Sequence, residues 1–245
     1  MSLLTVAIVP VIIFLFAVYQ KDTEKEPLNL LFKGFVGGML SIFPAVALAT
    51  GFQYFNTFYN PMVVSFYDAF FVAAIPEELA KFALLFFIIW KNKAFDQHYD
   101  GIIYAVFVSL GFAVVENILY VFEHGMETAI LRAVLAIPAH GFFGVAMGYF
   151  FALAKFSERR FRKKNLALCL LIPILLHGTY DFALMYMAVP DISVPEIIGL
   201  LALLAFVIVR LWKFGIRRIR KHILKDKIEI SLLKEDENNF NDENL

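Results

Sequence analysis

Long uncharged runs recur in this sequence at the length a helix needs to cross a bilayer. The run GIIYAVFVSLGFAVVENILYVF, residues 101–122, carries a single charged side chain. A hydrocarbon core of about 30 Å takes roughly 20 helical residues to span, and that ruler gives candidate spans at residues 2–19, 34–54, 62–90, 101–122, 130–154, 165–188 and 196–213. The expected fold is therefore all-α: a polytopic membrane protein of about seven transmembrane helices. Composition agrees, since 60% of the chain is apolar and its 28 phenylalanines outnumber its 22 acidic residues. No soluble domain of this length needs so much for its core.

The loops set the expected orientation. Lys21, Lys25 and Lys33 follow the first span, Lys91 and Lys93 the third, and Lys155, Arg159, Arg160, Arg162, Lys163 and Lys164 the fifth, whereas the sixth loop, MAVPDISVPE, has no Lys or Arg. The positive-inside rule then places the N-terminus outside and the C-terminus in the cytoplasm. The first span lacks the positive start and small-residue cleavage site of a signal peptide and is expected to be retained. Residues 1–213 form one membrane domain. The basic, amphipathic segment 214–230 is expected to lie along the anionic inner leaflet, and the acidic segment 231–245 to be disordered. The lone cysteine, Cys169, excludes an intramolecular disulfide and a two-thiolate zinc site.

Against this background several polar residues stand in the wrong solvent. Glu77, Glu78 and Lys81 interrupt the third span (IPEELAKFALLFFIIW), Glu116 and Asn117 the fourth, His140 the fifth, and His177 and Asp181 the sixth. Each ionised group on a lipid-facing helix costs about 2.5–3.5 kcal/mol at the bilayer centre, so these groups are expected to face one another. Counted from the cytoplasmic helix ends, Glu77, Glu116, His140, His177 and Asp181 lie about 18–24 Å deep. Four helices thus deliver their ionisable groups to one level, on the outer side of the midplane.

Spacing supports a shared centre: Glu77 and Lys81, and His177 and Asp181, are four apart and share a helix face, while Glu77 and Glu78 diverge by about 100°. One of the two glutamates is expected to enter the site and the other to hold Lys81. Pro76, Pro138 and Pro173 stand just before the clusters, where irregular backbone is tolerated beside a polar cavity. Lys81 reads as a structural partner and Asn117 as an interhelical hydrogen bonder. His140 suits structure or function equally, and Asp68 and Arg132 are expected to face headgroups or water. Four carboxylates against one lysine and two histidines still leave negative charge to be met by protons, water or a metal ion. Such a centre suits a carboxylate acting as general base on water with imidazole stabilising an oxyanion, a zinc site with an open position, or a proton path. A band of charges at one depth, rather than a ladder across the membrane, favours hydrolysis.

In this order and placement EELAK (Glu77–Lys81), FAVVE (Phe112–Glu116), PAHGFFGVAMGY and HGTYD (His177–Asp181) resemble the motifs of PrsW-type intramembrane proteases. That family belongs to the superfamily of the type II CAAX prenyl endopeptidases and bacteriocin-processing enzymes. The CAAX pattern has histidine where this chain has Glu116. The resemblance covers roughly residues 30–190. It implies cleavage of a membrane-tethered protein near the extracytoplasmic side, as in site-1 cleavage of a single-span anti-sigma factor. Glu77 would be the water-activating base, Glu78 the partner of Lys81, Glu116 a group sharing or positioning the water, His177 and Asp181 the oxyanion or metal site, and His140 an auxiliary ligand. Zinc, if present, would draw on His140, His177, Glu116 and Asp181. The resemblance implies an integral protein of a bacterial cytoplasmic membrane with no nucleic-acid partner. The alternative is a non-enzymatic membrane binding or transport protein, such as a haem carrier ligated by His140 and His177.

Overall fold

The computed structural model describes residues 3–242, and among them every regular element is helical. Helix α1 (Leu3–Gln20) is followed by α2 (Leu28–Leu40) and α3 (Ile42–Tyr54), which meet at Ser41. Next comes a rod in three parts: α4 (Pro61–Tyr67), a π-helical turn (Asp68–Ala74) and α5 (Ile75–Ile89). Helices α6 (His98–Val134), α7 (Ala136–Phe156), α8 (Arg162–Met187) and α9 (Val194–Asp242) complete the chain.

Five helices among the described residues are long and apolar enough to cross a membrane: Leu28–Tyr54, His98–Val134, Ala136–Phe156, Arg159–Met187 and Val194–Leu232. They coincide with five of the expected spans. The other two correspond to α1, a shorter apolar helix, and to the Pro61–Ile89 rod, whose regularity the π segment interrupts.

The expected boundary between the fourth and fifth spans moves. Gly125 adopts φ 80° and ψ −162°, a conformation that side chains with a Cβ rarely take, and the chain reverses there. Residues 126–134 therefore belong to the end of α6, and the fifth span starts at Ala136 rather than residue 130. Of the three prolines, Pro76 directly follows irregular π-helical backbone, Pro138 lies in the first turn of α7, and Pro173 is carried inside an unbroken α8.

Helices α6 and α7 form the centre, with α6 buried almost all round from Tyr99 to Val114. Their backbones touch at Gly148, where a Cβ would lie 2.2 Å from the carbonyl oxygen of Gly101. Without water to drive helix association, such small-residue contacts let van der Waals packing hold helices together. Large apolar side chains on the outer helices, such as Phe16, Phe43 and Phe87, are exposed as lipid contact requires.

Helix α9 continues without a break through the basic segment and carries helical backbone to Asp242, across most of the segment expected to be disordered; residues 243–245 lie outside the described residues. One face of the basic segment packs on protein. Asp226 accepts hydrogen bonds from the backbone N–H groups of His98 (2.9 Å) and Tyr99 (2.8 Å), so it caps the N-terminus of α6. His222 donates to the His98 carbonyl at 2.8 Å, and Arg218 donates to the Tyr149 hydroxyl at 2.8 Å.

Candidate active site

The π-helical turn brings Ile75 and Pro76 into α5 so that Glu78 and Lys81 point inward and are fully buried, with Glu77 beside them at the edge. Single π turns inside helices recur at functional sites. Lys81 Nζ lies 2.9 Å from Glu78 Oε1, 3.2 Å from Glu77 Oε2 and 3.3 Å from His140 Nδ1, and 4.1 Å from the centre of the Phe112 ring. The lysine therefore binds both glutamates, where one had been expected to hold it.

Glu78 also meets α8: His177 Nδ1 is 2.9 Å from Glu78 Oε1. The other ring nitrogen, Nε2, is 3.1 Å from Asp181 Oδ2 and 3.9 Å from Glu77 Oε2. Phe143 of α7 stacks on the His177 ring at 4.8 Å and fixes its plane. His140 presents Nε2 to Glu116 Oε2 at 2.9 Å. Both nitrogens of His177 thus meet carboxylates, Glu78 at Nδ1 and Asp181 at Nε2, while His140 meets Glu116 at Nε2 and Lys81 at Nδ1, and such partners fix the orientation of each ring.

Arg132 departs from its expected place. It turns into the polar cluster: its Nη2 lies 2.9 Å from Glu116 Oε1 and its Nε donates to Asn117 Oδ1 at 3.0 Å. The turn at Gly125 folds the end of α6 back, so a residue 16 positions later in sequence returns to the level of Glu116. Asn117 itself donates to the Ala7 carbonyl of α1 at 3.1 Å, the interhelical hydrogen bond expected of it. Asp68 accepts from Asn56 at 2.7 Å, away from this cluster.

Beside these groups lies a cavity of about 260 Å³, lined by Glu116, Tyr120, Arg132, His140, His177 and Asp181 among others. It has room for several waters, each of which takes roughly 30 Å³ in the liquid. Glu77, His140 and His177 each offer a ligand atom, and those atoms all lie within 4.8 Å of one another. Two imidazoles and one carboxylate are a donor set of catalytic zinc sites, which keep a further position open. The charge balance points the same way: among the described residues, four carboxylates face only Lys81 and Arg132 as fixed cations, and Glu78 Oε2 is buried without a hydrogen-bond partner. In this geometry it is Glu77 whose oxygen lies close enough to join the two histidines around an ion. Asp181 neighbours His177 Nε2, and Glu116 is the outer partner of His140.

Comparison with known proteins agrees with the chemistry. Residues 26–212 match the profile of the PrsW family of intramembrane metalloproteases. The chain belongs to the PrsW family. Protease PrsW of Oceanobacillus iheyensis is 40% identical over 188 residues, which cover 75% of this chain and 83% of the relative. Protease PrsW of Bacillus subtilis is 36% identical over 221 residues (90% and 95%), and that of Clostridioides difficile is 36% identical over 236 residues (93% and 94%). No solved structure matches the chain. This PrsW member is a protease, integral to the bacterial cytoplasmic membrane, with residues that suit zinc. The haem-carrier alternative fails on geometry. The rings of His140 and His177 lie edge to face with centroids 5.2 Å apart, too close for a macrocycle to sit between them.

Proposed function

We propose that this PrsW protein crosses the membrane seven times with its N-terminus outside, and that it cleaves a membrane-tethered protein near the extracytoplasmic side. A single-span anti-sigma factor is the proposed substrate. The observation that carries the proposal is the meeting of Glu77, His140 and His177 from three different helices beside a cavity whose other lining residues, such as Tyr120, Leu131 and Leu184, lie on the outer side in that orientation.

In the proposed mechanism Glu77, His140 and His177 would hold the metal. A bound zinc ion would supply the positive charge that makes water acidic and polarises the scissile carbonyl. Glu77, the least enclosed carboxylate of its helix pair, would give one oxygen to the metal and with the other accept the proton of the attacking water and return it to the leaving amine. Asp181, 3.1 Å from His177 Nε2, holds the water on the cavity side. Glu78 anchors both His177 and Lys81. Glu116 orients His140 and is itself clamped by Arg132. Closing these groups away from bulk water strengthens each of their interactions.

Co-expression with tethered single-span anti-sigma factors tests this reading. Wild type should yield a fragment cut on the extracytoplasmic side, and Glu77→Gln should yield none. A cut on the cytoplasmic side, or equal cutting by the variant, would refute it.

A further inference from the structure

Helices α1 and α9 both lean on Phe142 of α7. The Phe14 and Phe142 rings meet edge to face at 5.6 Å, and the Phe142 and Trp212 rings lie 4.9 Å apart. Above this floor the two helices leave a cavity of about 740 Å³, walled by Ile13 and Ala17 on one side and Ile216 and Ile219 on the other. That volume falls within the roughly 300–1,000 Å³ range of small-molecule sites. Apart from three cations the lining is apolar, and the cations gather at one end: Lys21, just past α1, with Arg220 and Lys227 of α9. None of the neighbouring acids lines the cavity: Asp22 is buried and accepts from the Glu26 backbone, Asp226 is buried capping α6, and Glu24 accepts from Gln97.

We propose that this groove holds an anionic phospholipid, one acyl chain lying between α1 and α9 and the headgroup phosphate on Lys21, Arg220 and Lys227. An apolar trough ending in three exposed cations complements an amphiphile with a negative head. The same charges argue against the transmembrane helix of a substrate, because single spans carry their own Lys and Arg at the cytoplasmic flank, and with the orientation proposed above that flank would meet like charge. The groove also borders the catalytic region. Pro138, Phe142 and Trp212 continue into a small crevice that includes Leu135 and Ala139, and those two residues also line the active-site cavity.

The test is native mass spectrometry of the purified full-length protein, released from membranes of mixed phosphatidylglycerol and phosphatidylcholine. Wild type should retain phosphatidylglycerol in preference to phosphatidylcholine. The triple variant Lys21→Gln, Arg220→Gln, Lys227→Gln should lose roughly ten-fold or more of that retention. Ala17→Trp, which fills the trough without changing charge, should lose it as well. Neutralising Lys91, Lys93 and Arg159, outside the groove, should leave it intact. Retention of both lipids alike, undiminished retention in the triple variant and in Ala17→Trp, or equal loss in the control would overturn the proposal. The measurement does not involve peptide cleavage, so its failure would leave the proteolytic reading standing, and the reverse.

Discussion

His177 and Glu78, 99 residues apart in sequence, are joined at 2.9 Å, and Lys81 reaches the same Oε1 oxygen at the same distance. One buried carboxylate oxygen therefore positions an imidazole and neutralises a lysine together. Removing it leaves Glu77 as the one carboxylate paired with Lys81, and breaking a buried pair from one side costs about 3–5 kcal/mol. Glu78→Ala should thus lower the melting temperature of the detergent-solubilised protein by about 10 °C or more. Glu78→Gln keeps an acceptor for the ring N–H but loses the charge, and should fold while losing about 10–100-fold in activity. Equal melting curves for Glu78→Ala and wild type would show that the shared oxygen is not structural.

Glu77 behaves in the opposite way. Its side chain retains some exposure, and Lys81 keeps Glu78 when Glu77 is changed. Glu77→Gln should therefore melt within a few degrees of wild type while cleavage falls by about 100-fold or more. Because Glu77 is also a proposed ligand, metal content measured by elemental analysis should fall in Glu77→Gln and in His140→Ala. Chelation of the wild type should stop cleavage, and zinc should restore it. Full activity after exhaustive chelation would exclude the metal mechanism.

How much of this was legible in the sequence follows from the range of the interactions. The shared depth of Glu77, Glu116, His140 and His177 could be counted from helix rise alone, because a helix in lipid has a fixed length per residue and charged groups there must find one another. Their exact partners could not. Depth does not tell which oxygen faces which nitrogen, so the ligand set read from the sequence had Glu116 and Asp181 where the geometry brings in Glu77. Arg132 was misplaced because a helix count assumes a straight rod, and only the positive φ at Gly125 returns it to Glu116. The docking of the basic segment was hidden for a similar reason: its cations suggest a lipid surface, whereas the residue that fixes it is an acid, Asp226.

That capping contact can be checked directly. The two α6 donors bound by Asp226 are among the N–H groups that a helix cannot satisfy internally. Asp226→Ala should cost about 0.5–2 kcal/mol, visible as a lower melting temperature and as faster hydrogen exchange at the start of α6. Asp226→Asn, which keeps an acceptor oxygen, should lose less. No change in exchange at residues 98–100 in Asp226→Ala would show that α6 is held there by packing alone.

A last prediction concerns pH and Glu26, in the loop between α1 and α2. Burial raises its pKa from the ordinary 4.5 to about 7, although the Tyr104 hydroxyl donates to it and works against the shift; nearby Asp22, itself raised by burial, adds to it. A carboxyl whose folded value lies above its unfolded one binds its proton more tightly in the folded protein. Its contribution to stability is then full below about pH 4.5 and is lost as pH rises through about 7. Wild type should melt several degrees lower at pH 8 than at pH 5. Glu26→Gln, neutral throughout and still able to accept from Tyr104, should reduce that slope, leaving the part due to its acidic neighbours Asp22 and Asp100. A variant with the same slope as wild type would assign the pH dependence to other groups.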